Sequence, residues 1–187
     1  MEAIKRMVVA VFDFLQGIVV FLAILVMIYL FLFSPQEING ASMEPTFFNA
    51  ELIVTNKFIY KVTPPKRGDI VIFKSPKNKD IDYIKRVIGL PGERVRLSSS
   101  TFYINGKALG EPYLPSRTVT APGAFLGENK EITVQAGDYF VCGDNRPHSS
   151  DSRDFGPVPG GDFIGKGIFR YWPFDKFTII PEPAFGV

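Results

Sequence analysis

One stretch of this chain constrains its environment before anything else is read. From Phe14 to Phe33 run 20 residues without a charge, interrupted only by the polar Gln16 and by Gly17. Wound as a helix at ~1.5 Å per residue, the stretch is about 30 Å long, the hydrocarbon thickness of a bilayer. Lys5 and Arg6 precede it, and the next basic residue is Lys57. The positive-inside bias therefore leaves residues 1–13 in the cytoplasm, makes 14–33 a single-pass anchor and puts residues 34–187 on the far side. A cleaved leader is the rival reading, but its apolar region should span only about 7–15 residues. The best small-residue cleavage site, Asn39-Gly40-Ala41, also has a poor third-last position. Asp13 falls at the cytoplasmic rim of the helix, the alternative being a functional carboxylate within the membrane.

Residues 34–187 have a different character. Every proline and all but one of the 17 glycines lie there, and such punctuation ends helices quickly. Between the breaks stand short β-branched and aromatic runs: Leu52–Thr55, Asp69–Phe73, Tyr83–Ile88, Arg94–Leu97, Thr101–Ile104, Ile132–Val134, Tyr139–Val141, Ile164–Phe169 and Phe177–Ile180. Runs of this length and spacing predict a mainly β architecture, an all-β barrel or sandwich. Residues of about 98–135 read as a small strand-containing insertion on that core. Lys74–Asp80 reads as a solvated hairpin loop rather than a basic binding patch.

Counting residues excludes several chemistries. A single cysteine, Cys142, permits no intrachain disulfide and no multi-cysteine metal site. A lone histidine, His148, excludes zinc sites built on two imidazoles. The formal net charge of +2 lacks the basic footprint expected of a nucleic-acid binder. Neither a metal nor a cofactor is implied, so an organic mechanism remains. Gly40-Ala41-Ser42-Met43 lacks the trailing glycine of a nucleophile elbow, and no serine has a lysine three positions later. A serine activated by a lysine distant in sequence is still available.

Two segments make that option specific. Gly40-Ala41-Ser42-Met43-Glu44-Pro45-Thr46 is a turn nine residues beyond Phe33, within about 30 Å of extended chain from the membrane. Tyr83-Ile84-Lys85-Arg86-Val87-Ile88 alternates as a strand, so Lys85 shares a face with Tyr83 and Val87. A lysine desolvated between an aromatic ring and a valine has a lowered pKa, as a general base requires. Taken singly, Ser42 could be a turn former and Lys85 an exposed strand residue.

Together with two further segments, these residues resemble bacterial type I signal peptidases. Ser42-Met43-Glu44-Pro45-Thr46 matches that family's nucleophile box. Gly68-Asp69-Ile70-Val71-Ile72-Phe73 matches the strand that follows, and Tyr83 through Gly92 matches the general-base box. Gly143-Asp144-Asn145-Arg146, with Ser149, Asp151, Ser152 and Arg153, matches the last. The resemblance spans residues of about 34–175 and implies an all-β catalytic domain of the signal-peptidase and LexA type. It implies that Ser42 attacks the scissile carbonyl and that Lys85 takes and returns its proton. Ser149 would orient the Lys85 amine, and Asp144, Arg86, Asp151 and Arg153 would fix the strands through ion pairs. The Ser42 backbone N–H would donate to the oxyanion. Gly40 stands where part of the family has a serine that supplies a second donor. Ile38, Met43, Tyr83 and Ile84 would line shallow pockets for small substrate residues, an Ala-x-Ala pattern, along an extended chain paired with residues 82–85.

The implied partners are preprotein signal peptides, membrane lipid and the protein-export machinery, with no nucleic acid. The implied location is the cell membrane, with the catalytic domain outside the cytoplasm. Phe47 and Phe48 either dip into the bilayer or pack in the core. Two other functions compete: a self-cleaving regulator of the LexA type, against which stand the anchor and the absence of a DNA-binding helical domain, and a non-enzymatic anchored β-module.

Overall fold

The computed structural model describes residues 1–183 and Phe185; residues 184, 186 and 187, the end of the expected extracytoplasmic domain, lie outside the described residues. The expected anchor is helical, and the helix is longer than the uncharged stretch, running Glu2–Leu32 with every residue up to Phe31 exposed. It is the one helix among the described residues long and apolar enough to cross a membrane. Phe33 is not its last turn. It opens strand β1 (Phe33–Glu37) directly, and Lys57 N donates to Leu32 O, so the helix ends on the sheet without a linker.

The remaining chain is mainly β. After β1 come β2 (Leu52–Asn56), β3 (Ile70–Lys74), β4 (Asp82–Gly89), β5 (Arg94–Ser98), β6 (Thr101–Ile104), β7 (Lys107–Ala108) and β8 (Glu131–Thr133). β9 (Asp138–Cys142), β10 (Val158–Pro159), β11 (Phe163–Trp172) and β12 (Thr178–Ile179) complete the set. The larger sheet has the antiparallel order β1-β2-β11-β3-β4-β9-β10, with β12 added to β11. β1 was not read from the sequence because Ser34-Pro35-Gln36 carries no strand signal. Its edge position explains the tolerance, since a proline there removes no bond between paired strands.

The smaller sheet, β7-β6-β5-β8, is inserted between the neighbouring strands β4 and β9. It begins at Arg94, so β5 belongs to the insertion rather than to the core ahead of it. Its turns show how local chemistry sets register. Asn105 and Gly106 both have positive φ (51° and 85°), the type I′ geometry that suits a two-residue hairpin. The insertion's apolar side packs on the larger sheet through Val95, Leu97, Phe102 and Ile104 against Ile88 and Phe140. A second cluster joins Ile38, Met43, Phe47, Ile53, Ile70 and Ile72, with Ile84 packed against it. β2, β11 and β3 separate β1 from β4 in the sheet, yet Ile38 and Ile84 share this cluster. The sheet is therefore coiled, and its concave side forms a cleft between the two.

Candidate active site

The cleft holds about 540 Å³ and is lined by Ile38, Ser42, Tyr83, Ile84, Lys85 and His148, among others. Of the four residues expected to line substrate pockets, Ile38, Tyr83 and Ile84 border this cleft. Met43 does not. It is fully buried in the apolar cluster beneath the loop, where it and Phe47 serve as anchors. The family resemblance offered Met43 as a lining residue; in the turn its side chain points the other way, into the core.

The two anchors give the Gly40–Thr46 loop its shape. Phe47 N donates to Met43 O, Gly40 N donates to Asn49 Oδ1 at 2.8 Å, and Thr46 Oγ1 donates to Asp144 Oδ2 at 2.5 Å. Gly40 therefore has no hydroxyl, and its N–H is already engaged. Ser42 stands half-buried at the loop's crest. Across from it, Lys85 Nζ donates to Ser42 Oγ at 2.8 Å and to Ile84 O at 2.8 Å. Nζ also lies 5.1 Å from the centre of the Tyr83 ring. Lys85 is 3% exposed, and burial brings its pKa down to about 8 against the upward pull of Asp151, Cys142 and Asp144.

Beneath this pair lie two buried ion pairs. Arg86 grips Asp144 with two bonds, Nε to Oδ1 at 2.9 Å and Nη2 to Oδ2 at 2.7 Å, and reaches Gly68 O with its remaining arm. Arg153 grips Asp151 likewise, with both bonds at 2.8 Å. Burial alone would push the Asp151 carboxyl up, but the Arg153 guanidinium and the Gly143 N–H bonded to it hold it below the usual carboxylate value. Planar two-point pairing fixes direction as well as distance, so β4 is locked to the turn that follows β9. Ser149 reaches the site without the bond expected of it. Among the described residues its buried Oγ has no partner of good geometry, although its hydroxyl helps hold the neighbouring Asp151 carboxyl down, and Lys85 uses Ser42 and Ile84 O instead.

Gly143 makes this crowding possible. A Cβ there would lie 2.2 Å from Ser149 Oγ and 2.4 Å from Ser42 O, so no larger residue fits between the two loops. Three further groups acquire positions to which the sequence reading assigned no role. Arg146, fully buried, pairs with Glu111 and donates to Thr120 Oγ1, which ties the insertion to the site. Tyr113 lays its ring 4.0 Å from the Arg86 guanidinium. Asn145 bonds to two carbonyls of the nucleophile loop. Asn145 and Arg146 lie in the last matched box, but Glu111 and Tyr113 sit in a Pro/Gly-rich loop with no local signal.

Fold and site together define a class, a mainly β peptidase domain preceded by one helix of membrane-crossing length. A family model described as signal peptidase, peptidase S26, matches residues 11–172. Signal peptidase I of Bacillus caldolyticus is 44% identical over 156 residues, covering 80% of this chain and 85% of that protein. Signal peptidase IB of Staphylococcus aureus is 36% identical over 176 residues, covering 88% and 91%. A crystal structure of a signal peptidase I from Enterococcus faecalis is 42% identical, covers 56% of this chain and 97% of its own, and superposes with a TM-score of 0.46. The chain belongs to the signal peptidase family.

Proposed function

We propose that this chain is a membrane-anchored serine endopeptidase that removes N-terminal signal peptides from exported preproteins, cutting after small residues. The observation that carries the reading is the 2.8 Å bond between Ser42 Oγ and the buried Lys85 amine. An ammonium cannot accept a proton, but burial lowers the cost of losing one. Neutral Lys85 takes the Ser42 proton as Oγ attacks the scissile carbonyl. The Ser42 N–H donates to the oxyanion, and Lys85 then protonates the departing amine. Water attacks the acyl-serine with Lys85 again as base, which frees the enzyme. Ser149, whose buried Oγ stands beside the Asp151 carboxylate, accepts from the Lys85 amine as it turns to receive and return the proton. Arg86–Asp144 holds β4 against the turn after β9, Arg153–Asp151 braces that turn through Gly143 N and Arg146 O, and neither takes part in proton transfer.

The cleft geometry supports small-residue specificity. β4 pairs with β3 from Asp82 to Arg86, but β9 pairs with it only from Arg86 onward. Asp82–Lys85 therefore keeps a free edge facing the cleft, on which an extended substrate adds as a strand. Ile38, Tyr83 and Ile84 leave shallow room for alternate side chains, and a small pocket rejects large ones. The N-terminus lies in the cytoplasm and the catalytic domain outside it, where the export machinery delivers the substrate. Lipid is met by the helix and by exposed apolar side chains beside the nucleophile loop. The test is direct. Detergent-solubilised protein is incubated with a preprotein carrying an Ala-x-Ala site, and the new N-terminus is sequenced. Cleavage after the second alanine, absent in Ser42→Ala, is the expected result; cleavage elsewhere, or by Ser42→Ala, overturns the reading.

A further inference from the structure

The oxyanion donor assigned above is a backbone N–H, and a backbone N–H points wherever its peptide plane is held. The Ser42 N–H belongs to the same planar unit as the Ala41 carbonyl. That unit is trans, since the two cis peptides among the described residues are Glu44-Pro45 and Trp172-Pro173. In a trans unit the C=O and the N–H point to opposite sides. Whatever holds Ala41 O therefore aims the Ser42 N–H.

Asn145 holds it. Its Nδ2 donates to Ala41 O at 2.9 Å, and its own backbone N donates to Ser42 O at 3.0 Å. Carbonyl oxygens only accept, so the side-chain amide must present its NH2 to Ala41. One residue thus fixes two consecutive peptide planes of the nucleophile loop. Glu44 N also reaches Ala41 O, at 3.2 Å, but that bond lies within the loop and moves with it. The Asn145 bonds tie the loop to a rigid support. Its neighbours Asp144 and Arg146 are each 1% exposed and ion-paired, and His148 N closes the turn onto Asn145 O at 3.0 Å. Among the described residues the Ser42 N–H has no acceptor, so the plane is held from behind with its donor left open.

We infer that Asn145 is the positioning residue of the oxyanion site: it orients the Ala41–Ser42 peptide so that the Ser42 N–H faces the cleft. The inference rests on the reading of Ser42 as nucleophile. It matters more here than in a site with a second fixed donor, because Gly40 brings no hydroxyl and its N–H is bonded to Asn49.

The test uses the full-length protein in detergent with a signal-peptide substrate. Asn145→Asp keeps the shape and loses the donor, Asn145→Ala removes the group, and Asn145→Gln keeps an NH2 on a longer stem. Loss of an oxyanion donor outright costs about a hundred- to a thousandfold in kcat. A misaimed donor should cost about ten- to a hundredfold in Asn145→Asp and Asn145→Ala, with KM within twofold and part of the loss recovered in Asn145→Gln. The pH at which kcat/KM levels off should not move, because Lys85 is untouched. A peptide aldehyde, which forms an oxyanion-bearing adduct with Ser42, should bind more weakly by the same factor as kcat/KM. The uncleaved substrate, measured on a Ser42→Ala background, should bind unchanged. Unaltered kcat in both variants overturns the inference. So does an equal loss of affinity for aldehyde and uncleaved substrate, which would mark a merely structural role. Ser42→Ala tested alone separates the layers: if it still cleaves, the nucleophile reading falls and takes this inference with it.

Discussion

At the scale of single residues the decisive quantity is the protonation of Lys85. An ordinary lysine, with a pKa near 10.4, is neutral in about one molecule in 2,500 at pH 7. With its pKa at about 8, about one in ten is neutral. We expect kcat/KM to climb about tenfold per pH unit below pH 7 and to level off above about 8, measured on a peptide substrate across pH 6–10. Lys85→Arg should be as inactive as Lys85→Ala, since a guanidinium keeps its proton. His148→Ala should retain most activity, for the exposed imidazole has no place in a Ser–Lys mechanism. The same shift acts on stability. The folded pKa lies below the unfolded one, so between about pH 8 and 10.5 the unfolded chain holds more protons and stability rises with pH. Below that window the charged form destabilises the fold by about 3 kcal/mol. Lys85→Met removes the charge at similar volume, so it should raise Tm at pH 7. That gain should shrink steadily as melts are taken from pH 8 towards 10.5. A gain independent of pH would show that burial of the charge was not its source.

At the scale of elements, the site is where strand alternation, turn chemistry and close packing meet. Most strands were legible because β-branched runs alternate between breaks, and β6 (Thr101–Ile104) has its expected limits. What was not legible has physical reasons. β1 owes its pairing to the straight run of the chain off the helix rather than to its own propensities. Ser99 and Ser100 make a hairpin with φ of 47° and 64°, left-handed values normally signalled by glycine. They are held by Ser98 Oγ on Asn129 and Ser99 N on Glu128, partners some 30 residues away. Family resemblance drew attention to Ser42, Lys85 and four charged residues, which the fold brings together, whereas Glu111 and Tyr113 make contacts that only the folded insertion creates. Gly143 shows how little slack remains between elements. Gly143→Ala would push a methyl against Ser149 Oγ and Ser42 O, which are side chain and backbone of two anchored loops. Overpacking of this kind costs about 1–3 kcal/mol. Because the strain falls on Ser42, we expect activity to drop by at least a hundredfold in protein that still melts cooperatively. Wild-type kcat in Gly143→Ala would mean that the two loops separate freely.

At the scale of the whole molecule, the anchor and the sheet are one continuous run of backbone. Eight residues lie between Phe33 and Ser42, four of them in β1; the chain leaves its extended course at Gly40 (φ 95°), so the site lies closer to the helix end than a fully extended chain would allow. Of the two phenylalanines expected to meet either lipid or core, Phe47 is a core anchor at 1% exposure, and Phe48 alone is exposed. Phe48 does not stand alone, because Lys176 Nζ sits 4.9 Å from its ring and leads into an apolar surface. Trp172 and Phe174 meet there edge to face at 4.8 Å, and Phe177 and Ile179 follow in the chain; Phe174 and Ile179 are 74% and 75% exposed. Trp172 pairs with Leu52, which pairs with Glu37, so this surface borders the strand end that launches the nucleophile loop. Protein lacking residues 1–31 keeps β1 and its pairing, and should remain folded and active. It should also bind phospholipid vesicles, and its cleavage rate should rise when they are added. Phe174→Ser, Phe177→Ser and Ile179→Ser combined should weaken vesicle binding by at least about tenfold, since burial of each large apolar side chain contributes about 1.5–3 kcal/mol. Cleavage of a soluble peptide without lipid should be unaffected, because none of the three touches the cleft. If the shortened protein floats free of vesicles and cleaves equally well without them, this surface has another use and lipid contact rests on the helix alone.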